Sequence, residues 1–211
     1  MRPLTGPVWT IVVAAGSGSR FGGPKQYEPL AGRPVLEWSL AAARAVSDGV
    51  VLVVPPDDER APGGDVVVAG GSTRSASVRN GLAAVPPDAA VIVVHDAARP
   101  LAGIDLFQRV IDAVLDGADG ALCAVPVTDT IRQVGGGVVD REQLLAVQTP
   151  QAFRAEALRA AHAAGADATD DAALVEAAGG VVVTVPGSPT NIKITNPSDV
   201  AVAAAMLEYR P

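Results

Sequence analysis

Hydrophobic positions in this chain form short unbroken runs separated by helical stripes. Residues 8–15, 50–54, 66–69, 91–94, 121–127 and 181–185 are runs rich in Val, Ile, Leu and Ala, bounded by Gly, Pro or Asp. Such runs predict strands, with 8–15 and 91–94 read as buried ones. Between them the apolar spacing becomes helical. Val35, Leu36, Leu40, Ala43 and Val46 predict a helix entered at Pro34 and running to about Ser47. Phe107, Val110, Ile111, Val114 and Leu115 predict another, and Val200, Ala203, Ala204 and Leu207 predict a last one begun at Asn196-Pro197. The turn Gly70-Gly71 opens a helix that Ser72 or Thr73 can cap. A further helix is expected from Pro150 to about Ala164, ended by Gly165. Thr169 is expected to cap the next, with Asp170 and Asp171 at its positive end. Residues 57–64 are polar and turn-rich, and residues 191–195 are short and extended. The alternation of strands and helices predicts one α/β layered domain over residues 1–211, with a mainly parallel sheet.

Residues 128–148 depart from this rhythm. Thr128 to Val134, then three glycines, then Val138 to Arg141 read as a β-hairpin with a glycine tip. Thr130 and Arg141 would face each other across it. Neither side has a stripe to lay on the main sheet, so the hairpin is expected to project as an arm. It would be most stable against another subunit, which makes a homodimer the expected assembly.

Composition sharpens this picture. Nearly half of the 211 residues are hydrophobic, but few are aromatic, so small side chains would let helices lie close on the sheet. A net charge of −7 argues against nonspecific nucleic-acid binding, which needs a basic face. Cys123 is the only cysteine, which excludes an internal disulfide and a multi-cysteine zinc site and fits a reducing cytoplasm. No apolar run approaches the roughly 20 residues of a membrane span. Met1-Arg2 followed by the first apolar run faintly resembles a signal peptide, but cleavage there would remove the first strand.

The candidate chemistry begins where that strand ends. Gly16, Gly18, Gly22 and Gly23 enclose two cations, Arg20 and Lys25. Exposed backbone N–H groups with cations suit a polyphosphate. A P-loop would need Lys-Ser or Lys-Thr after the last glycine, and a dinucleotide fingerprint would need glycine where Phe21 stands. Neither motif is present. Fourteen of the sixteen cationic side chains are arginine, and the two lysines are Lys25 and Lys193. A compact ammonium on a flexible stem suits point contact with a phosphate oxygen. Asp96 ends a predicted strand, where open α/β sheets place ligands, and a carboxylate there can hold Mg²⁺ or simply cap a turn. His95 is expected to be a hydrogen-bonded structural histidine.

The glycine loop resembles that of nucleotidyltransferases that load sugar or polyol phosphates onto CTP. Gly70-Gly71-x-x-Arg74-x-x-Ser77, His95-Asp96-Ala-Ala-Arg99-Pro, Val127-x-Asp-Thr130, Gln148-Thr-Pro-Gln151-x-Phe, Thr169-Asp-Asp-Ala and Asn191-Ile-Lys193-Ile-Thr follow it. Together they resemble the 2-C-methyl-D-erythritol 4-phosphate cytidylyltransferases over residues from about 9 to 208. The resemblance implies a Rossmann-like nucleotidyltransferase domain that joins CTP to a polyol phosphate and releases pyrophosphate. It implies catalytic roles for Arg20, Lys25 and Lys193, and Mg²⁺ on Asp96. It implies cytidine seated by Ala14, Ala15, Gly16, Ser17, Gly18, Gly71 and Ser77. It also implies a polyol phosphate gripped by Asp96, Arg99, Thr130 and Arg141, with the arm reaching into the partner's site. Ser72 stands where relatives commonly carry an acid, so it is left out of the nucleotide ligands. A ribitol-5-phosphate cytidylyltransferase shares the nucleotide half and is the alternative reading. A nucleotide-binding regulator without catalysis is a third.

Overall fold

A computed structural model of the chain describes residues 4–56, 58, 60 and 63–209. The signal-like start at Met1-Arg2 lies outside the described residues, as do Asp57, Glu59, Ala61 and Pro62 of the predicted turn. In chain order the elements are β1 (Val8–Val13), β2 (Pro29–Leu30), β3 (Arg33–Pro34), α1 (Val35–Arg44), β4 (Gly49–Val54), β5 (Val66–Ala69), α2 (Arg74–Ala84) and β6 (Val91–Asp96). They continue with α3 (Ile104–Leu115), β7 (Gly120–Pro126), β8 (Ile131–Arg132), β9 (Val138–Val139) and β10 (Leu145–Arg154). The last are α4 (Ala155–Ala163), α5 (Asp171–Ala177), β11 (Val182–Pro186) and α6 (Pro197–Glu208).

Seven strands form one sheet in the order β11-β7-β10-β6-β1-β4-β5, with β10 antiparallel to both neighbours and every other pair parallel. Alternation along the strands divides the core. Val50, Leu52 and Val54 join Leu36, Leu40, Phe107 and Val110 on the α1–α3 face. Val51 and Val53 join Val78, Leu82, Leu158 and Val175 on the face of α2, α4 and α5. Fully burying each such side chain contributes about 1.5–3 kcal/mol, so the runs of the central strands β4 and β6 suit a sheet covered on both sides, whereas the edge strands β5 and β11 leave Val67 and Val183 exposed. Leu115 departs from its predicted stripe and is exposed. A third cluster sets α6 against the functional loops: Ala203 packs with Leu30, Val35, Leu101 and Ile194.

Small residues bring α2 close to the sheet. A Cβ on Gly81 would meet Ile11 Cγ2 at 2.6 Å, and one on Gly70 would collide with Ala15 Cβ. The second glycine turn is thereby pressed against the first loop. Thr73 is the N-cap of α2, its hydroxyl accepting from the Ala76 N–H.

The strand β10 corrects two expectations. The predicted helix from Pro150 begins only at Ala155, and the last part of the predicted arm, from Leu145, belongs to the main sheet. The polar run Gln148-Thr-Pro-Gln151 conceals this strand in the sequence. Tertiary hydrogen bonds make it possible: Gln148 Nε2 donates to Ser188 O, and Thr149 Oγ1 accepts from the Asp96 N–H. The rest of the predicted arm is reduced to β8 and β9, a two-residue antiparallel pair with a glycine turn. Ile131 lies opposite Val139, so Arg141 does not face Thr130; it sits in a short 3-10 turn and donates to the Thr128 carbonyl. Asp170, rather than Thr169, caps α5.

Candidate active site

β1 leads through α1 to β4 on one side of the sheet, whereas β6 lies on the other side of β1. The order in which strands are added therefore reverses between β1 and β6, and the C-terminal ends of strands at such a switch are the usual ligand position in open α/β sheets. A cleft of about 510 Å³ opens there, walled by residues 15–21 with Lys25, by residues 71–74 with Ser77, and by Asp96, Lys193 and Thr195. Gly18 shapes the first wall. Its carbonyl accepts from the Phe21 and Gly22 N–H groups at 2.8 and 2.9 Å, with φ at +66°. The second wall is held by Ser77, whose Oγ accepts from the Gly71 N–H and donates to Thr73 O. Lys25 Nζ donates to Ile194 O at 2.6 Å and so joins the first wall to the Lys193 segment. Asn191 anchors that segment: buried, it donates through Nδ2 to Thr149 O.

Asp96 is the electrostatic centre. Its Oδ1 lies 3.2 Å from Arg74 Nε and its Oδ2 lies 2.5 Å from Lys193 Nζ. Burial opposes its ionisation, but Arg74 and Lys193 outweigh burial and hold the carboxyl well below the usual carboxylate range. Lys25 moves the other way: burial, then Lys193 and Arg20 nearby, lower its pKa. Arg74 Nη1 also reaches Asp171 Oδ2 at 2.8 Å, and Asp171 Oδ1 lies 3.0 Å from His162 Nε2. Sequence alone assigns Arg74 no role and makes Asp171 only a charge at the start of a helix. The available signal was their place inside the quoted motifs; their pairing, 97 positions apart, exists only in the fold.

His95 is structural, as expected. It is fully buried, packs on Phe107 with ring centroids 4.9 Å apart, and pairs through Nδ1 with Thr149 Oγ1. Burial lowers its pKa to about 4 from an ordinary 6.5. The unfolded chain therefore binds the extra proton between those values, so stability falls as pH drops through that window. The full contribution is about 3 kcal/mol. Chemical denaturation from pH 7 to pH 4 is expected to show this loss, and His95→Gln is expected to flatten it.

Of the residues expected at the site, the fold places Ala15, Gly16, Ser17, Gly18, Arg20, Lys25, Gly71, Ser77, Asp96 and Lys193 on the cleft. Ala14 lies behind the loop in the core. Arg99 does not line the cleft; it donates to Asn191 O at 2.7 Å and so braces the Lys193 segment. Thr130 and Arg141 do not line it either, and Arg141 borders a separate hollow with Thr128 and Leu145. Among the described residues no three His, Cys, Asp or Glu side chains cluster to hold a metal by themselves. Nor, among them, is any helix long and apolar enough to cross a membrane.

The sequence profile described as IspD: 2-C-methyl-D-erythritol 4-phosphate cytidylyltransferase matches residues 8–209. A protein of that name from Rubrobacter xylanophilus is 42% identical, over 95% of this chain and 94% of its own length. A bifunctional enzyme IspD/IspF from Anaeromyxobacter dehalogenans is 47% identical over 94% of this chain, which spans only 56% of that protein. The crystal structure of 2-C-methyl-D-erythritol 4-phosphate cytidylyltransferase from Thermus thermophilus superposes with a TM-score of 0.83 at 39% identity, covering 94% of this chain and 98% of the other. The profile spans the glycine loop, Asp96 and Lys193 alike, and the chain belongs to the IspD family of 2-C-methyl-D-erythritol 4-phosphate cytidylyltransferases.

Proposed function

We propose that Arg20, Lys25 and Lys193 are the catalytic residues with which this chain transfers CMP from CTP to 2-C-methyl-D-erythritol 4-phosphate. A phosphate oxygen of the polyol phosphate attacks the α-phosphorus of CTP. The bond from that phosphorus to its bridging oxygen breaks, pyrophosphate leaves, and 4-diphosphocytidyl-2-C-methyl-D-erythritol forms. The nucleophile is already ionised, so no general base is required. Catalysis rests on alignment and on neutralising negative charge around the pentavalent phosphorus. One observation carries the assignment: Arg20 and Lys25 of the glycine loop and Lys193 from far along the chain converge on one cleft beside a buried carboxylate.

Ala15 to Gly18, with Gly71 and Ser77, would seat cytidine against the contact between Gly70 and Ala15, with Ala14 supporting the loop from the core. Mg²⁺ fits the donor set, because Asp96 would offer one carboxylate oxygen donor and the remaining ligands could be phosphate and water oxygens. When bound, it neutralises triphosphate charge. Thr130 and Arg141 would grip the methylerythritol phosphate from the arm of a second copy in a homodimer, and Arg99 would contribute by bracing the Lys193 segment. Neither Thr130 nor Arg141 lines its own cleft, which supports that arrangement, as do the exposed Val134, Val138, Leu145 and Val147 around the arm. The lone, buried Cys123, its thiol pushed up to about 12 by burial, is in keeping with a cytoplasmic enzyme.

Pyrophosphate release from CTP should be rapid with methylerythritol phosphate and slow with ribitol 5-phosphate; the reverse order would decide for the ribitol enzyme, and no release with either would leave a non-catalytic binder. Gly18→Ala tests the loop. Its Cβ would collide with Gly23 O at a left-handed φ, so the loop must open. Strain of about 1–3 kcal/mol is expected to weaken CTP binding by about 5- to 150-fold, read by calorimetry.

A further inference from the structure

We propose that Asp171 is a positioning residue for the transfer, acting through Arg74 to keep one oxygen of Asp96 exchangeable. The inference rests on the reading that Asp96 holds the divalent cation. Asp171 has no exposed surface, begins α5, and lies outside the cleft. Its two oxygens have separate partners: Oδ2 accepts from Arg74 Nη1, and Oδ1 meets His162 Nε2. Arg74 stands at the first turn of α2 and does line the cleft, so a buried carboxylate behind the wall governs a guanidinium within it.

Geometry shows what that control achieves. A guanidinium facing one carboxylate tends to close on it with two parallel N–H bonds. Here Arg74 makes a single contact to Asp96, from Nε to Oδ1, while Nη1, on the opposite edge of the guanidinium, is held by Asp171, which fixes the plane and keeps it from swinging onto both Asp96 oxygens. Oδ2 of Asp96 is left to Lys193, a partly exposed ammonium on a flexible stem that can move aside. Without Asp171, Arg74 is free to turn its fork onto both Asp96 oxygens and exclude the cation. The charges also balance: Asp96 and Asp171 face Arg74 and Lys193. A solely structural purpose explains Asp171 poorly, since buried ion pairs are often replaceable by apolar residues without loss of stability.

The test is Mn²⁺ binding to the enzyme–CTP complex, followed by electron paramagnetic resonance, beside the Mg²⁺ dependence of pyrophosphate release. Asp171→Asn is expected to weaken Mn²⁺ binding and raise half-saturating Mg²⁺ by about 10-fold or more, the usual effect of losing a partner that orients a metal ligand. KM for methylerythritol phosphate should stay within about twofold of the parent value, since the polyol phosphate is held elsewhere. Asp171→Glu should recover part of the loss. A folded Asp171→Asn protein with unchanged Mn²⁺ affinity overturns the inference. Arg74→Lys, which keeps the charge but lacks the fork to span both carboxylates, is the second variant if Asp171→Asn does not fold. With no fork to close on both Asp96 oxygens, it is expected to keep Mn²⁺ affinity within about twofold of the parent value, and a loss of about 10-fold or more there overturns the inference. Asp96→Asn separates the two readings. If it leaves Mn²⁺ binding intact, Asp96 is not the ligand and both fall. If it abolishes binding while Asp171→Asn does not alter it, only the role of Asp171 falls.

Discussion

Replacing Lys193 with alanine is expected to lower kcat for pyrophosphate release by about 10²–10³-fold, the scale of removing one fixed donor aimed at transition-state charge. KM for CTP should change far less, because Arg20, Lys25 and the glycine loop still face the triphosphate. The fold should survive. Lys193 is partly exposed, and Asp96 would keep Arg74 as its counter-charge. Lys193→Arg is expected to recover little. The segment from Asn191 to Thr195 is pinned by Asn191 Nδ2 on Thr149 O and by Lys25 on Ile194 O, so a longer planar head cannot settle at the same point. Steady-state kinetics with a melting curve checks this. A normal kcat in Lys193→Ala would remove the Lys193 segment from the mechanism.

The second large effect is expected at Asp96. Asp96→Asn keeps shape and volume but removes the charge shared by Arg74 and Lys193. kcat/KM is expected to fall by about 10³-fold or more, a loss that added Mg²⁺ should not repair, since the carboxylate rather than metal supply is missing. Breaking a buried ion pair typically destabilises by about 3–5 kcal/mol. The loss here should be smaller, because Arg74 retains Asp171 and Lys193 can turn to water. The pH dependence has a definite sign. The folded pKa of Asp96 is depressed below its ordinary 3.8, so its contribution is complete above that value. It fades only under strongly acidic conditions. An acid limb of the rate profile near neutrality therefore cannot come from Asp96, and a parent and Asp96→Asn comparison between about pH 5 and 8 should show parallel curves.

Local pattern carried most of the architecture. The unbroken runs at 50–54, 66–69 and 91–94 read as strands because β-branched side chains suit a pleated sheet, and every one of them is a strand, buried on both faces at 50–54 and 91–94 but exposed at Val67 on the sheet edge. The stripe from Phe107 to Val114 marked α3 for the same reason of burial. Residues 145–154 did not read as a strand. A polar run with proline lacks any periodic signal, and its place in the sheet depends on partners such as Ser188 and the Asp96 backbone. The short hairpin register, which parts Thr130 from Arg141, was illegible because two-residue strands carry almost no pattern.

The site divides along the same line. The chain on its own determined which residue types were available: glycines where backbone must come close, two lysines among many arginines, and one aspartate at a strand end. The comparison of motifs in order then identified the family. Only the tertiary structure decided their company. It set Lys25 on Ile194, divided the Asp96 oxygens between Arg74 and Lys193, and turned Arg99 from the cleft to brace Asn191. It also drew Asp171 into the network from 97 positions away. The reason is physical. Apolar burial and backbone hydrogen bonding act between near neighbours and leave a periodic trace in sequence. A charge is instead placed by whatever counter-charge the finished fold brings within about 3 Å, and sequence spacing does not encode that distance.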